Sequence, residues 1–203
     1  MERKERIKTH YPDYDVLSQQ DHWDDHTREI VLKRLDIPGQ FQKLTGDEAD
    51  LIRAMAALFV DDARSDLLDY IVKHFDNKLR SDKGESERKP NVPPQKHLFK
   101  KGWRALDHLA STRYEQPFPR LSAEQQIALL VGMENDTETL ETPDGETVPA
   151  KPFFNAMLTE TVSAYYSHPL VWSEIGYGGP AYPRGYVRSE YGLTDPWEAK
   201  RDA

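Results

Sequence analysis

The chain contains no cysteine. That excludes disulfides, cysteine-held iron–sulfur clusters, cysteine-type zinc sites and haem attachment through C-x-x-C-H. It leaves the redox compartment open, because a cysteine-free protein suits oxidising and reducing surroundings alike. No apolar run approaches the ~20 residues that a membrane-spanning helix needs. No G-x-S-x-G occurs, so no serine is tied to a histidine and an acid by a nucleophile-elbow pattern. Positive charge is short as well: 27 Lys and Arg stand against 35 Asp and Glu, a net charge of −8. Phosphate backbones and anionic membrane surfaces attract a basic footprint, so general affinity for either is disfavoured. With 37% apolar and 31% charged residues among 203, the expected product is one medium domain plus tails, or at most two small ones, with a modest core. The N-terminus, MERKERIKTHYPDYD, has basic residues but no apolar stretch of a secretory signal. As written, the sequence points to the cytoplasm, or to the periplasm if a leader has been removed.

Helical periodicity is what the chain does have, and no strand-like alternation lasts long enough to predict a sheet. A first helix is expected over about 21–35, with Trp23, Ile30, Val31 and Leu35 on one side and Pro38-Gly39 ending it. Thr45 and Glu48 spell a capping box for a second helix, whose apolar face is Leu51, Ile52, Met55, Leu58 and Phe59. A third begins near Ser65 and repeats Leu67, Leu68, Ile71, Val72, Phe75 and Leu79. Residues 78–101 hold eight basic and three acidic groups, so a mobile basic loop is expected over 80–95. A fourth helix carries Phe99, Trp103, Leu106, Leu109 and Ala110 to about Arg113. Ser122 with Gln125 caps a fifth, bearing Ile127, Leu130 and Met133. An acidic loop over 134–148 includes a Pro143-Asp144-Gly145 turn. Pro152 then opens a sixth helix with Phe153, Phe154, Met157, Leu158, Val162 and Tyr165 inward. The fold class is all-α: about six helices in one bundle-like domain over 21–168, an N-terminal arm over 1–20, and an extended aromatic, Gly- and Pro-rich partner-docking tail over 169–203.

Candidate chemistry is sparse. His22 and His26, at i and i+4 within Asp21-His22-Trp23-Asp24-Asp25-His26, have the spacing of a metal-ligand pair on one helix face. Trp23 stands where a metalloprotease places glutamate, and no distant third ligand is evident; an acidic first turn is ordinary capping chemistry. Gly176-Tyr177-Gly178-Gly179-Pro180-Ala181 matches the letters of a dinucleotide fingerprint. That motif must follow a buried strand and open a helix. Here it follows a helix end, and Pro180 and Pro183 oppose a new helix, so chance explains it better. His168, before Pro169, reads as a partner for the last helix carbonyls, with an acid–base role as the alternative. His108, among Leu106 and Leu109, reads as a half-buried structural residue.

The tail is the most distinctive segment. Six of the ten tyrosines (165, 166, 177, 182, 186 and 191) fall at its head and within it, with Trp172, two further glycines and several prolines among them. Tyrosine and tryptophan combine a large apolar body with a polar tip and are favoured where another protein covers the surface. Two readings follow. The segment wraps another subunit, which its Tyr, Gly and Pro density favours, or Tyr177, Tyr182 and Tyr186 fold back as a lid over the helices. The residues expected to meet a partner are Tyr165, Tyr166, His168, Pro169, Trp172, Tyr177, Gly178, Gly179, Tyr182, Arg184 and Tyr186.

Three stretches carry a resemblance to a known family. They are Leu51 to Leu79 with Asp61-Asp62; Lys101-Gly102-Trp103-Arg104-Ala105-Leu106-Asp107 with Tyr114, Phe118, Leu121-Ser122 and Gln125-Gln126; and Phe153-Phe154 through Tyr166-Ser167-His168-Pro169 to Gly178-Gly179. Together they resemble the gluconate 2-dehydrogenase subunit 3 family, the small non-flavin subunit of membrane-linked sugar dehydrogenases. The family is also found beside FAD glucose dehydrogenases and glucoside 3-dehydrogenases. Two departures are visible: Ala63-Arg64-Ser65 stands where a Pro-Gly-Ala turn is usual, and there is no twin-arginine leader. The resemblance implies a chain that holds no cofactor and is not itself catalytic. It would stabilise a glucose-methanol-choline (GMC) type flavoprotein that binds FAD and oxidises a sugar or glycoside. Two other readings stay beside it: a free-standing metal-dependent enzyme using His22 and His26, and a chaperone acting only during maturation of the flavoprotein.

Overall fold

The computed structural model describes residues 9–36, 40–81, 92–188, 190 and 192–200. Most of the expected basic loop, Pro38-Gly39 and Tyr191 lie outside them. The chain divides into two compact units: 38–164, and a second drawn from both ends, 1–37 with 165–203. Residues 21–36, assigned from the sequence to the helical domain, pack in the second of these units, together with the N-terminal arm and the tail.

The all-α class holds. Among the described residues the central unit contains α2 (Gly46–Val60), α3 (Ser65–Arg80), α4 (Gln95–Tyr114), α5 (Ala123–Glu134) and most of α6 (Ala150–Tyr165); α1 (Asp25–Leu32) and α7 (Pro169–Ile175) belong to the terminal unit. Short 3-10 helices occupy Val16–His22 and Phe118–Arg120. Both expected capping boxes form: the Thr45 hydroxyl accepts from the Glu48 amide at 3.2 Å while the Thr45 amide donates to Glu48 at 2.9 Å, and Ser122 and Gln125 repeat the exchange. Each satisfies two amides that a helix start leaves without partners.

The central core is aromatic. Phe99 stacks on Trp103 at 5.6 Å, and Phe75 meets both rings edge-on at 5.2 and 6.0 Å. The Trp103 indole N–H points at Met157 Sδ, 3.2 Å away. Gly102 lets α6 approach this cluster: a Cβ there would lie 2.2 Å from the Phe153 ring. Next to Phe75 in α3, the buried Asp76 carboxylate accepts from the Gln42, Lys43 and Leu44 amides at 3.0, 2.7 and 3.1 Å. This fixes the segment that enters α2. The turn between α2 and α3 is organised by an ion pair rather than by proline and glycine. Arg64 donates to the buried Asp62 carboxylate through its amide and its guanidinium, at 3.0 and 2.6 Å.

Four sequence expectations are corrected. The acidic loop contains a small antiparallel ladder, β1 (Leu140–Glu141) with β2 (Thr147–Val148), closed by the Pro-Asp-Gly turn. Two residues per strand are too few to display an alternating pattern. Ile127 is 47% exposed, because α5 buries Gln126, Leu129, Leu130 and Met133, a stripe one position away. His108 is exposed, opposite the α4 face that buries Phe99, Trp103 and Leu106. Ile30 and Leu35 are 43% and 40% exposed. Asp24 caps a fresh helix there, so Trp23 and α1 do not share one helical phase.

Glu160 on α6 joins three elements. It pairs with His74 Nε2 at 2.8 Å and accepts from Lys78 Nζ at 2.5 Å and Gln95 Nε2 at 3.0 Å. Burial alone would raise its pKa, but the hydrogen bonds from His74 and Lys78, the Lys78 charge and the Gln95 amide outweigh it and hold the carboxyl at about 2. An unfolded glutamate titrates near 4.5. Its stabilising contribution is therefore full above that pH and is lost as pH falls toward 2. Glu160→Gln is expected to lower unfolding free energy by about 2 kcal/mol at neutral pH. Thermal melts across pH should show the gap between wild type and variant closing between those two pKa values.

Candidate partner interface

The terminal unit is built around Trp172. Its ring contacts Tyr177 edge-on at 5.4 Å, the Arg34 guanidinium lies 5.0 Å over its face, and its N–H donates to the Tyr166 carbonyl at 2.6 Å. Val16, Trp23 and Val31 complete the cluster. The Ser173 hydroxyl clamps the N-terminal arm by accepting from the Val16 amide at 3.0 Å. Gly179 sits at φ +77°, and a Cβ there would stand 2.6 Å from the Trp23 ring. Only glycine satisfies both the left-handed backbone and the close approach.

His168-Pro169 was read as a helix stop; it is also a start. His168 Nδ1 accepts from the Leu170 amide at 3.2 Å as the N-cap of α7, and Pro169 follows as its first residue. Its amide also donates to the Tyr165 carbonyl at 3.1 Å, so the residue closes α6 and caps α7 at once. His22 and His26 fall on different elements, the first ending a 3-10 helix and the second in α1, with buried Trp23 between them. The shared helix face that a ligand pair requires is absent. Among the described residues no three His, Cys, Asp or Glu side chains gather as a metal-holding group. Gly176 ends α7 and no helix follows at 177–181, so the dinucleotide-like letters lack the required framework.

The eleven expected partner residues divide into two sets. Tyr165, His168, Pro169, Trp172, Gly178 and Gly179 are buried, and Tyr177 is half-buried. These form the scaffold of the unit, and of the three tyrosines in the fold-back reading only Tyr177 is drawn in. Tyr166, Tyr182 and Tyr186 are 53%, 67% and 62% exposed. Ile175, Val187 and Leu193, absent from the sequence-based set, are 49%, 58% and 49% exposed.

Arg184 is partly buried and links the sets. Its Nη2 donates to the Gly178 and Pro180 carbonyls at 2.8 and 3.0 Å, and the guanidinium lies 4.5 Å over the Trp197 ring. Burial lowers its pKa from the ordinary arginine value, and the ring face offsets part of that desolvation. Tyr14 donates to the Trp197 carbonyl at 2.6 Å, and burial pushes its phenol up to about 12. Asp195, fully buried, accepts from the Val187 and Arg188 amides, both at 2.8 Å, while its own amide donates to Glu198 at 2.9 Å. Asp195 was overlooked in the sequence, although Asp195-Pro196-Trp197-Glu198 has the D-x-x-E spelling of a capping box.

A cleft of about 570 Å³ opens on the central unit beside Asp47, Arg104, Asp107 and Arg120. Two of its carboxylates are already committed, Glu48 to Lys100 at 2.7 Å and Asp107 to the Phe118 amide at 2.9 Å.

A helical protein whose terminal unit turns tyrosines and aliphatic side chains outward from a polar-pinned scaffold is of the kind that another protein covers. The chain belongs to the family described as gluconate 2-dehydrogenase subunit 3, which it matches over residues 44–179. The name describes one subunit of a dehydrogenase complex. No curated protein and no solved structure matches the chain. Among the described residues, no helix is long and apolar enough to cross a membrane.

Proposed function

We propose that the chain is the non-catalytic small subunit of an FAD-dependent oxidoreductase of the GMC type acting on a sugar or glycoside. The observation that carries this reading is family membership across most of the chain. The exposed side chains of the terminal unit support it, because Tyr182, Tyr186 and Val187 are each more than half exposed. FAD belongs to the partner, and this chain's part is to bind that subunit and stabilise it.

Affinity capture of the full chain from its own host tests the proposal. The expected result is a one-to-one complex with a single larger oxidoreductase, showing flavin absorbance and sugar-dependent dye reduction. Capture of a colourless protein, or of none, would overturn it. A partner found only before its flavin is loaded would indicate the maturation chaperone instead.

A further inference from the structure

The described residues of the loop 181–195, which are 181–188, 190 and 192–195, are held from within. Arg184 ties the loop's first half to the Gly178 and Pro180 carbonyls. Asp195 ties its middle through the Val187 and Arg188 amides. The Gly185 amide donates to the Ala181 carbonyl at 2.6 Å, closing the turn between them. Arg184 and Asp195 are turned inward, and Tyr182, Tyr186, Val187 and Leu193 face outward at 67%, 62%, 58% and 49% exposure, beside exposed Arg188 and Thr194. Two tyrosines and two aliphatic side chains held outward on an internally anchored loop form a surface of the kind that another protein covers. It suits a recognition element whose ordering cost is met before binding.

The loop also lies beyond residue 179, where the family match ends. The shared part of the chain builds α2 to α7, whereas this outward surface is outside it. A second copy is a poor occupant, since two chains at −8 each repel one another.

Resting on the reading above, we propose that the 181–195 loop is a preorganised docking element for the catalytic flavoprotein and selects which flavoprotein of that class is bound. Tyr182, Tyr186, Val187 and Leu193 insert into an apolar surface of that subunit, and Arg184 and Asp195 position them.

The test uses the full chain and the flavoprotein captured with it. The triple variant Tyr182→Ser, Tyr186→Ser, Val187→Ser should keep the wild-type melting temperature, because its targets are exposed, yet bind at least about 100-fold more weakly. Asp195→Ala leaves the outward side chains intact but frees the loop, and should weaken binding about tenfold. The control Ile127→Ser, Val131→Ser on α5 should bind as wild type. Moving 181–195 into a family member with a different partner should transfer the preference. Triple-variant binding within about threefold of wild type would overturn the loop assignment while the accessory-subunit reading stands. Wild-type chain that captures no flavoprotein overturns both. Concentration-dependent self-association that the triple variant abolishes would make a second copy the occupant and overturn the proposal.

Discussion

Asp76→Ala is expected to lower the stability of the central unit by about 3 kcal/mol, measured as a shift in the urea midpoint at unchanged slope. Asp76 is only 5% exposed, and its carboxylate receives three consecutive amides, from Gln42, Lys43 and Leu44. Alanine removes every acceptor at once. The Leu44 amide is buried and has the least access to water as a replacement. The segment leads directly into the Thr45 cap, so its loosening should propagate into the first turn of α2. Hydrogen exchange at 42–48 should accelerate accordingly. Asp76→Asn keeps the shape and one acceptor oxygen but loses the charge, and should cost about half as much. A shift below about 1 kcal/mol for the alanine variant would mean that the carboxylate does not organise the segment.

Trp172→Ala is expected to destabilise the terminal unit by about 4 kcal/mol, within the range for emptying a buried tryptophan site. The side chain is 5% exposed and sits among Val16, Trp23, Val31 and Tyr177. The loss includes the Arg34 contact and the hydrogen bond to the Tyr166 carbonyl. Limited proteolysis reads the result: cleavage within 9–36 and 176–188 should become rapid while 40–81 and 92–164 stay resistant. Trp172→Phe keeps the ring but forfeits the N–H donor and should cost about 1.5 kcal/mol. Continued protease resistance at both ends in the alanine variant would contradict the described packing. Deleting 170–203 removes Trp172 and Ser173 together, so the N-terminal arm should be released with the tail.

These two residues mark how far the sequence could be read. Thr45 with Glu48 and Ser122 with Gln125 were legible as helix starts because a capping box is complete within four residues. The stripe on α3 was legible for the same reason, since its period is intrinsic to one helix. Asp76 gave no signal, because the amides it binds lie 32 to 34 residues away. His168-Pro169 was ambiguous: the same pair ends one helix and starts another, and only the geometry of Leu170 separates the roles. Trp23 misled the reading of α1, because a buried tryptophan beside a helix resembles one within it.

The sequence by itself determined the helical class, the caps, the lack of any cysteine-based cofactor site and the residues that carry the family resemblance. Each is a property of composition or of neighbours a few positions apart. Only the tertiary structure decided which tail aromatics are scaffold and which are surface. Trp172 and Tyr182 are the same kind of residue in the same segment, yet one is 5% and the other 67% exposed. The difference arises because Val16, Trp23 and Val31, about 140 or more residues earlier, reach the first and not the second. Burial of that kind depends on long-range contacts, which no local pattern of residues encodes.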